Sequence, residues 1–584
     1  MKKSFLLTSL LVGMLTFSAF NTAFAIEEVP DTKEEINKNI LTPNESPGIM
    51  TDTNRIRRYY NSLKNARETK LDKTTEQLEQ SETKPLCLPA RIEENQITTL
   101  IEKVELSHSE IFSKAEINEF KRLAEGQNLT AEDINNLVQI INEQYAKKNI
   151  ITARASIESL EGGVLKIELM EAKIGKVRVE GNKFNRKWFL KRQISSKASD
   201  ILNLQVLEND LKNFNKQAKS IKLSAKLQPG EEYGTTDIIL QAEEKFPYHF
   251  SASWDSFGRE TTGLLRSGLM LSADSFLGFQ DRLTGAVNLS RSSTNPFVDY
   301  NIPLNKYGTR LGASYMYGRS KVTSGEYSSF DLGANTHIFS TYITHPLIDS
   351  GRLNLNLNTS ANIKLSNADI GGYEYSKYKD YNIAIGTGGR YNFDRGVLFG
   401  SVYATNGLIE NKIASNSEYF AKFNADAYYV HYLPKGIILT FRAGGQYSPC
   451  DVPFVEQYQI GGISSVRGYS ESLLLASNSY FASTELLLPI PILPEEINIP
   501  FRRTEKFALR NAVKFALFVD NGAIFPDSQK VKTTNFLTSI GAGLRLAISK
   551  YVTARGYVGM PLMNTSIYSQ SNARFHFDIV TSLF

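Results

Sequence analysis

Residues 436–447 read Gly436-Ile437-Ile438-Leu439-Thr440-Phe441-Arg442-Ala443-Gly444-Gly445-Gln446-Tyr447. Side chains alternate across a strand, so Ile437, Leu439, Phe441 and Ala443 share one face, and Thr440, Arg442 and Gln446 share the other. Residues 551–559 repeat the pattern, with Val552, Ala554, Gly556 and Val558 opposing Tyr551, Thr553, Arg555 and Tyr557. Runs of about ten residues of this kind, separated by Gly, Asn, Ser and Asp clusters, fill the chain beyond Phe246 and number about sixteen. A soluble β-sandwich would have to bury Arg442 and Arg555. Charged residues facing inward and apolar ones outward instead predict a transmembrane antiparallel β-barrel with a wet interior, occupying 246–584. Short turns are expected at 276–281, 303–308, 433–435 and 549–550, alternating with longer loops.

The rest of the composition agrees. The 584 residues exceed one ordinary domain, and 28 Tyr and 33 Phe against 2 Trp suit strands and membrane-interface belts. Lys+Arg 66 against Asp+Glu 61 leaves only +5, without the dense basic stripe that nucleic acid requires. Residues 1–25 read as a signal peptide: Lys2 and Lys3 precede an apolar run over 5–20, and Ala23-Phe24-Ala25 has the small-x-small form of a cleavage site. No later stretch supplies ~20 consecutive apolar residues. Cys87 and Cys450 fall in different regions, so no structural disulfide is expected.

Residues 26–90 are polar and punctuated by Pro43, Pro47, Pro85 and Pro89, with Ile56, Tyr59, Tyr60 and Leu63 near helical spacing. They read as a tethered helix and a linker, or as a disordered tether. From Ile92 the texture becomes α+β. Ser113 and Thr130 each precede a helical pattern as N-caps do, and the second pattern aligns Ile134, Leu137, Val138, Ile141 and Tyr145. The order β-α-α-β-β over 91–171 recurs over 172–245, with helices expected at about 185–194 and 204–218. Two tandem modules follow from that repeat.

Residues 461–469, Gly461-Gly462-Ile463-Ser464-Ser465-Val466-Arg467-Gly468-Tyr469, form a Gly-rich loop carrying one arginine. Downstream, the parity of 513–522 sends Phe515, Leu517 and Val519 to lipid and Lys514, Phe518, Asp520 and Gly522 into the lumen. The loop, 449–478, either folds into the barrel and sets Arg467 on Asp520 as a charge-assisted pair, or stays outside with its arginine solvated.

Several stretches resemble one family. Val466-Arg467-Gly468-Tyr469 and Phe518-Val519-Asp520-Asn521-Gly522 match the two most diagnostic motifs of outer-membrane transporters of two-partner secretion. These are the haemolysin- and adhesin-secretion proteins of the POTRA-containing barrel-assembly superfamily. Asp255-Ser256-Phe257-Gly258 with Thr262-Gly263 resembles the family's first barrel hairpin. Cys87-Leu88-Pro89 and residues 145–155 resemble its first POTRA domain, with Asn149 where the family commonly has glycine.

The resemblance implies two POTRA domains in the periplasm and a barrel in the bacterial outer membrane. It implies that the loop enters the lumen and that Arg467 pairs with Asp520. The helix near 52–66 would plug the resting pore. Partners would be a large secreted protein of haemolysin or adhesin type, outer-membrane lipids and the barrel-assembly machinery.

The function expected is passive conduction of an unfolded exported protein to the cell surface. No cofactor or metal is expected, and no Gly-x4-Gly-Lys-Ser/Thr motif for a nucleotide is present. The alternative is an assembly factor that inserts other barrels, since the superfamily shares the loop arginine. A barrel enzyme is disfavoured because His108, His249, His337, His345, His431 and His576 are scattered without a partnered Ser-His-acid spacing, so no catalytic residue is assigned. A nonspecific porin would not need the tandem modules.

Overall fold

The computed structural model describes residues 99–582, apart from 151, 233, 326–327, 495–496, 499–505, 508, 526–534, 549–551 and 564–571. The signal segment, the helix expected near 52–66, Cys87 and the turn at 549–550 lie outside the described residues.

The first α+β unit runs β1 (Lys103–Leu106), α1 (Lys114–Arg122), α2 (Ala131–Lys147), β2 (Ala153–Glu161) and β3 (Val164–Glu171). Both helices begin with a reciprocal capping box, Ser113 with Glu116 and Thr130 with Asp133, each contributing about 1 kcal/mol. The apolar stripe of α2 buries Ile134, Leu137, Ile141 and Tyr145 against the sheet, with Val138 partly buried beside them. β3 lies between the other two strands, parallel to β1 and antiparallel to β2.

The second unit repeats that plan with β4 (Lys173–Glu180), α3 (Lys187–Lys191), α4 (Leu204–Gln217), β5 (Ile221–Pro229) and β6 (Thr235–Glu244). β6 is central and parallel to β4. α3 is shorter than the helix expected over 185–194. The Glu244 carboxylate accepts the backbone N–H groups of Lys183, Phe184 and Asn185, which holds the approach to α3 in an open turn.

Sixteen antiparallel strands then close a barrel. They are β7 (Tyr248–Asp255), β8 (Arg266–Asp274), β9 (Arg282–Ser290), β10 (Ser293–Pro303), β11 (Arg310–Lys321), β12 (Leu332–Asp349), β13 (Leu353–Ile370) and β14 (Tyr373–Phe393). β15 (Gly396–Asn411), β16 (Asn416–Tyr432), β17 (Ile438–Tyr447), β18 (Ser479–Pro489), β19 (Val513–Ile524), β20 (Asn535–Ile548), β21 (Val552–Pro561) and β22 (Arg574–Ser582) complete it, and β22 pairs back onto β7. The outer face carries Leu271, Ile383, Val402, Phe441, Leu517, Val519 and Phe575, all exposed, while the inner face buries Lys364, Asp380, Lys422, Glu485, Asp520 and Arg545. This inverted distribution fits a lipid-facing wall around a polar lumen.

Two expectations are corrected. β12 to β16 are 16–21 residues long, not about ten. Crossing the apolar layer takes only ~9–11 tilted residues, so these strands continue past it and carry the length expected of loops. Loop lengths do not alternate strictly either. On the side away from the α+β units, Gly371 and Gly372 alone join β13 to β14, with φ of 56° and 87°, the two positive values that a tight hairpin demands. β18 ends and β19 begins on the opposite side, where the turns touch the second unit, although 490–512 separate them in the sequence.

Candidate functional site

Between β17 and β18 the chain turns into the lumen. A short ribbon, Tyr458–Ile460 antiparallel to Leu474–Ala476, carries it inward. The tip bends where Gly461, Gly462 and Gly468 take φ of 109°, 88° and 89°. Gly468 also lies on the backbone of Gly559 in β21, where an added Cβ would come within 2.9 Å. Only glycine meets both demands there.

That approach delivers Arg467, 3% exposed, to the inner wall. Its Nε and Nη2 donate to Oδ2 and Oδ1 of Asp520, both at 2.8 Å, and its backbone N–H donates to the same carboxylate at 2.9 Å. Nη1 donates to Glu485 Oε2 at 2.8 Å and Nη2 to Ser483 Oγ at 3.1 Å. The guanidinium carbon sits 3.6 Å from the centre of the Phe518 ring and 4.8 Å from that of Tyr557, so aromatic faces cover the rest of the cation.

The other side of Glu485 is held by Arg545, through Nε and Nη2 at 2.8 Å each, and by the Tyr557 hydroxyl at 3.0 Å. Two arginines thus face two carboxylates in a buried, charge-balanced group. Removing one partner from such a group costs about 3–5 kcal/mol because it leaves an uncompensated buried charge.

The remaining residues singled out in the sequence converge here. Val466 is fully buried among Ile460, Leu474, Phe481 and Leu537. Gly522 makes room for it: a Cβ there would approach Val466 Cγ2 at 3.0 Å. The Tyr469 hydroxyl lies 2.9 Å from the carbonyls of Thr538 and Met563. Gly461 and Gly462 form the turn that precedes Arg467. Sequence reasoning missed Ser483, Glu485, Arg545 and Tyr557 as members of the cluster, and His576, whose Nε2 accepts the Gly468 N–H at 3.1 Å. Strand parity counted from Ser479 turns Ser483 and Glu485 inward, so that signal was present. Cys450 is an exposed thiol at the root of the loop. No cluster of metal-ligating side chains occurs among the described residues.

A closed, lipid-facing barrel, a loop pinned in its lumen by a buried arginine, and a POTRA-type α+β unit ahead of it define an outer-membrane transporter of the two-partner secretion class. The chain belongs to the haemolysin secretion/activation protein family ShlB/FhaC/HecB, whose profile matches residues 234–546, while residues 99–172 match the ShlB-type POTRA domain. Members of this family are outer-membrane protein transporters rather than enzymes, and their POTRA domains are periplasmic. The chain is 22% identical over 457 residues to the heme/hemopexin transporter protein HuxB of Haemophilus influenzae, covering 75% of this chain and 79% of that protein. It is 25% identical over 462 residues to the outer membrane transporter CdiB of Dickeya dadantii, covering 74% and 77%. Among solved structures, CdiB from Acinetobacter baumannii superposes with a TM-score of 0.57 at 19% identity, covering 96% of this chain and 100% of that one. CdiB from Escherichia coli gives 0.54 at 18%, with the same coverage.

Proposed function

We propose that this chain captures an exported partner protein in unfolded form on its two periplasmic units and conducts it through the barrel to the cell surface without ATP. In this reading residues 1–25 are the signal peptide, 26–90 a pore-plugging helix and linker, 91–171 and 172–245 the two POTRA domains, and 246–584 the barrel with its in-folding loop 449–478. Binding would occur by strand addition, in which backbone hydrogen bonds give affinity with little sequence demand. Folding of the chain as it emerges supplies the driving force.

The observation that carries this reading is the loop held inside the lumen by the Arg467–Asp520 pair, in a barrel whose near-side turns are bonded to the second unit. The pair is conformational: it sets where the loop lies in the conduit. Deleting 461–469 is expected to abolish secretion of the exported partner, while the heat-modifiable folded barrel still accumulates in the outer membrane. Normal secretion by that variant would remove the loop from the mechanism. Loss of other outer-membrane barrels on depletion of the intact protein would favour the assembly-factor alternative.

A further inference from the structure

The tip cluster is not the loop's only buried ionic anchor. Before the ribbon, a short turn at Phe454–Glu456 presses Glu456, 2% exposed, against a different part of the wall. Its carboxylate pairs with Lys364 of β13 and, at 2.7 Å, with Lys422 of β16. Its backbone carbonyl accepts from Lys422 Nζ at 3.0 Å and from Gln446 Nε2 at 3.2 Å. Asp380 of β14 lies 3.8 Å from Lys364 and completes a second buried group of two lysines and two carboxyl groups.

The barrel's closure gives this second anchor its meaning. In a ring of sixteen strands, positions eight apart face each other across the lumen. β13 and β14 are the seventh and eighth strands; β21 and β22 are the fifteenth and sixteenth. Glu456 is bonded to the first pair through Lys364, beside Asp380, and also to Lys422 of β16 and Gln446 of β17, the tenth and eleventh strands. Twelve residues on, Gly468 contacts Gly559 of β21 and His576 of β22. We infer that the loop is a bar pinned along two separate stretches of the wall, strands seven to eleven and twelve to sixteen, with Glu456 as the positioning residue of its near end. Arg467 then reaches Asp520 only along a limb whose start is fixed by Lys364 and Lys422. An extended chain crossing the lumen must pass beside this bar or displace one of its ends.

The two anchors differ in kind, and the difference suggests which one yields. Arg467 is locked by a planar fork, a backbone N–H and two aromatic faces. Glu456 is held by two ammonium groups, which are point charges on flexible stems and impose little direction, and by one amide bond from Gln446 to its backbone carbonyl. The Glu456 end is therefore the releasable one.

The test places spin labels at Phe454→Cys, on the limb, and Tyr373→Cys, at the exposed end of β14, in the full-length chain carrying Cys87→Ser and Cys450→Ser. One narrow distance is expected in this background. Glu456→Gln with Lys422→Gln removes one charge of each sign and should raise the population at other distances at least tenfold. The conservative Lys422→Arg, which keeps the charge, should retain the narrow distance. Heat-modifiability identifies which variants contain a folded barrel. An unchanged narrow distance in a folded neutralised variant, or a folded Lys422→Arg variant as broad as the neutralised one, would overturn the second anchor. The readout needs no partner protein, so its failure is separable from failure of the secretion reading.

Discussion

Arg467 does with one side chain what a lysine could not. Two of its nitrogens match the two oxygens of Asp520, a third reaches Glu485, and its flat faces lie against Phe518 and Tyr557. Arg467→Lys keeps the charge and forfeits the fork. A lost charge-assisted bond is worth about 1.5–3 kcal/mol, and each 1.4 kcal/mol is a factor of about ten. Secretion is therefore expected to fall at least about tenfold in Arg467→Lys, with an unchanged amount of folded barrel in the membrane fraction; secretion at the wild-type level would show that charge alone suffices. Exchanging Arg467 and Asp520 is a weaker test, because an aspartate at 467 would confront Glu485. Asn149 makes a related point about single positions. It stands where the family commonly has glycine, and it adopts a φ of 59°, a left-handed conformation that asparagine tolerates better than most residues.

Among the elements, the two α+β units share a device that bears on capture. Asn142 of α2 accepts the N–H of Ala155 in edge strand β2 at 2.7 Å and donates to its carbonyl at 3.3 Å. Asn215 of α4 does the same to Leu223 in edge strand β5, at 2.7 and 2.8 Å. Each amide occupies one outward-facing backbone pair as a neighbouring strand would, and so blunts that end of the edge. On β5 the outward groups recur every second residue, so Ala225 and Leu227 carry the next ones, beyond Asn215's reach. Ala225→Pro deletes an outward N–H at an edge, where proline is tolerated. If strand addition on β5 captures the partner, this variant should lower binding of the unfolded partner to the purified protein by about tenfold, measured by fluorescence anisotropy, and unchanged affinity would move capture elsewhere. These elements also show what the sequence made legible. Helix starts were readable at Ser113 and Thr130 because the cap is local, and Asp520 could be turned inward because strand parity is local too. Glu485 and Arg545 were not recognised, although parity turns them inward, because which lumen groups meet depends on the stagger of neighbouring strands; Glu456 was not, because Lys364 and Lys422 lie on strands far from it in the sequence.

At the scale of the whole molecule, the proposed capture and conduction would require the second unit to stay registered on the barrel mouth. Two of the barrel's near-side turns hold it. On one, Asn185 Oδ1 accepts from Ser275 Oγ at 2.6 Å and Gln280 Nε2 at 2.8 Å, and Phe279 lies 6.3–6.4 Å, ring to ring, from Trp188 and Phe189. On the other, Lys306 Nζ donates to Ser195 Oγ at 2.6 Å and pairs with Asp210 at 3.3 Å, while its carbonyl accepts from Gln217. Two separated contacts resist rotation where one would act as a pivot. Replacing Phe279 and Lys306 together by alanine removes a side-chain contact from each while changing nothing inside the unit. Each contact is worth about 1 kcal/mol, and because the bonds of Asn185, Arg186 and Gln217 to the turns remain, their combined loss loosens the unit on the barrel without unfolding it. The expected result is a double variant that binds the unfolded partner as tightly as the parent yet secretes it about tenfold more slowly, because bound chains are no longer presented to the lumen. Equal loss of binding and secretion would mean that the turns shape the capture surface itself, and full secretion would mean that docking does not limit transfer.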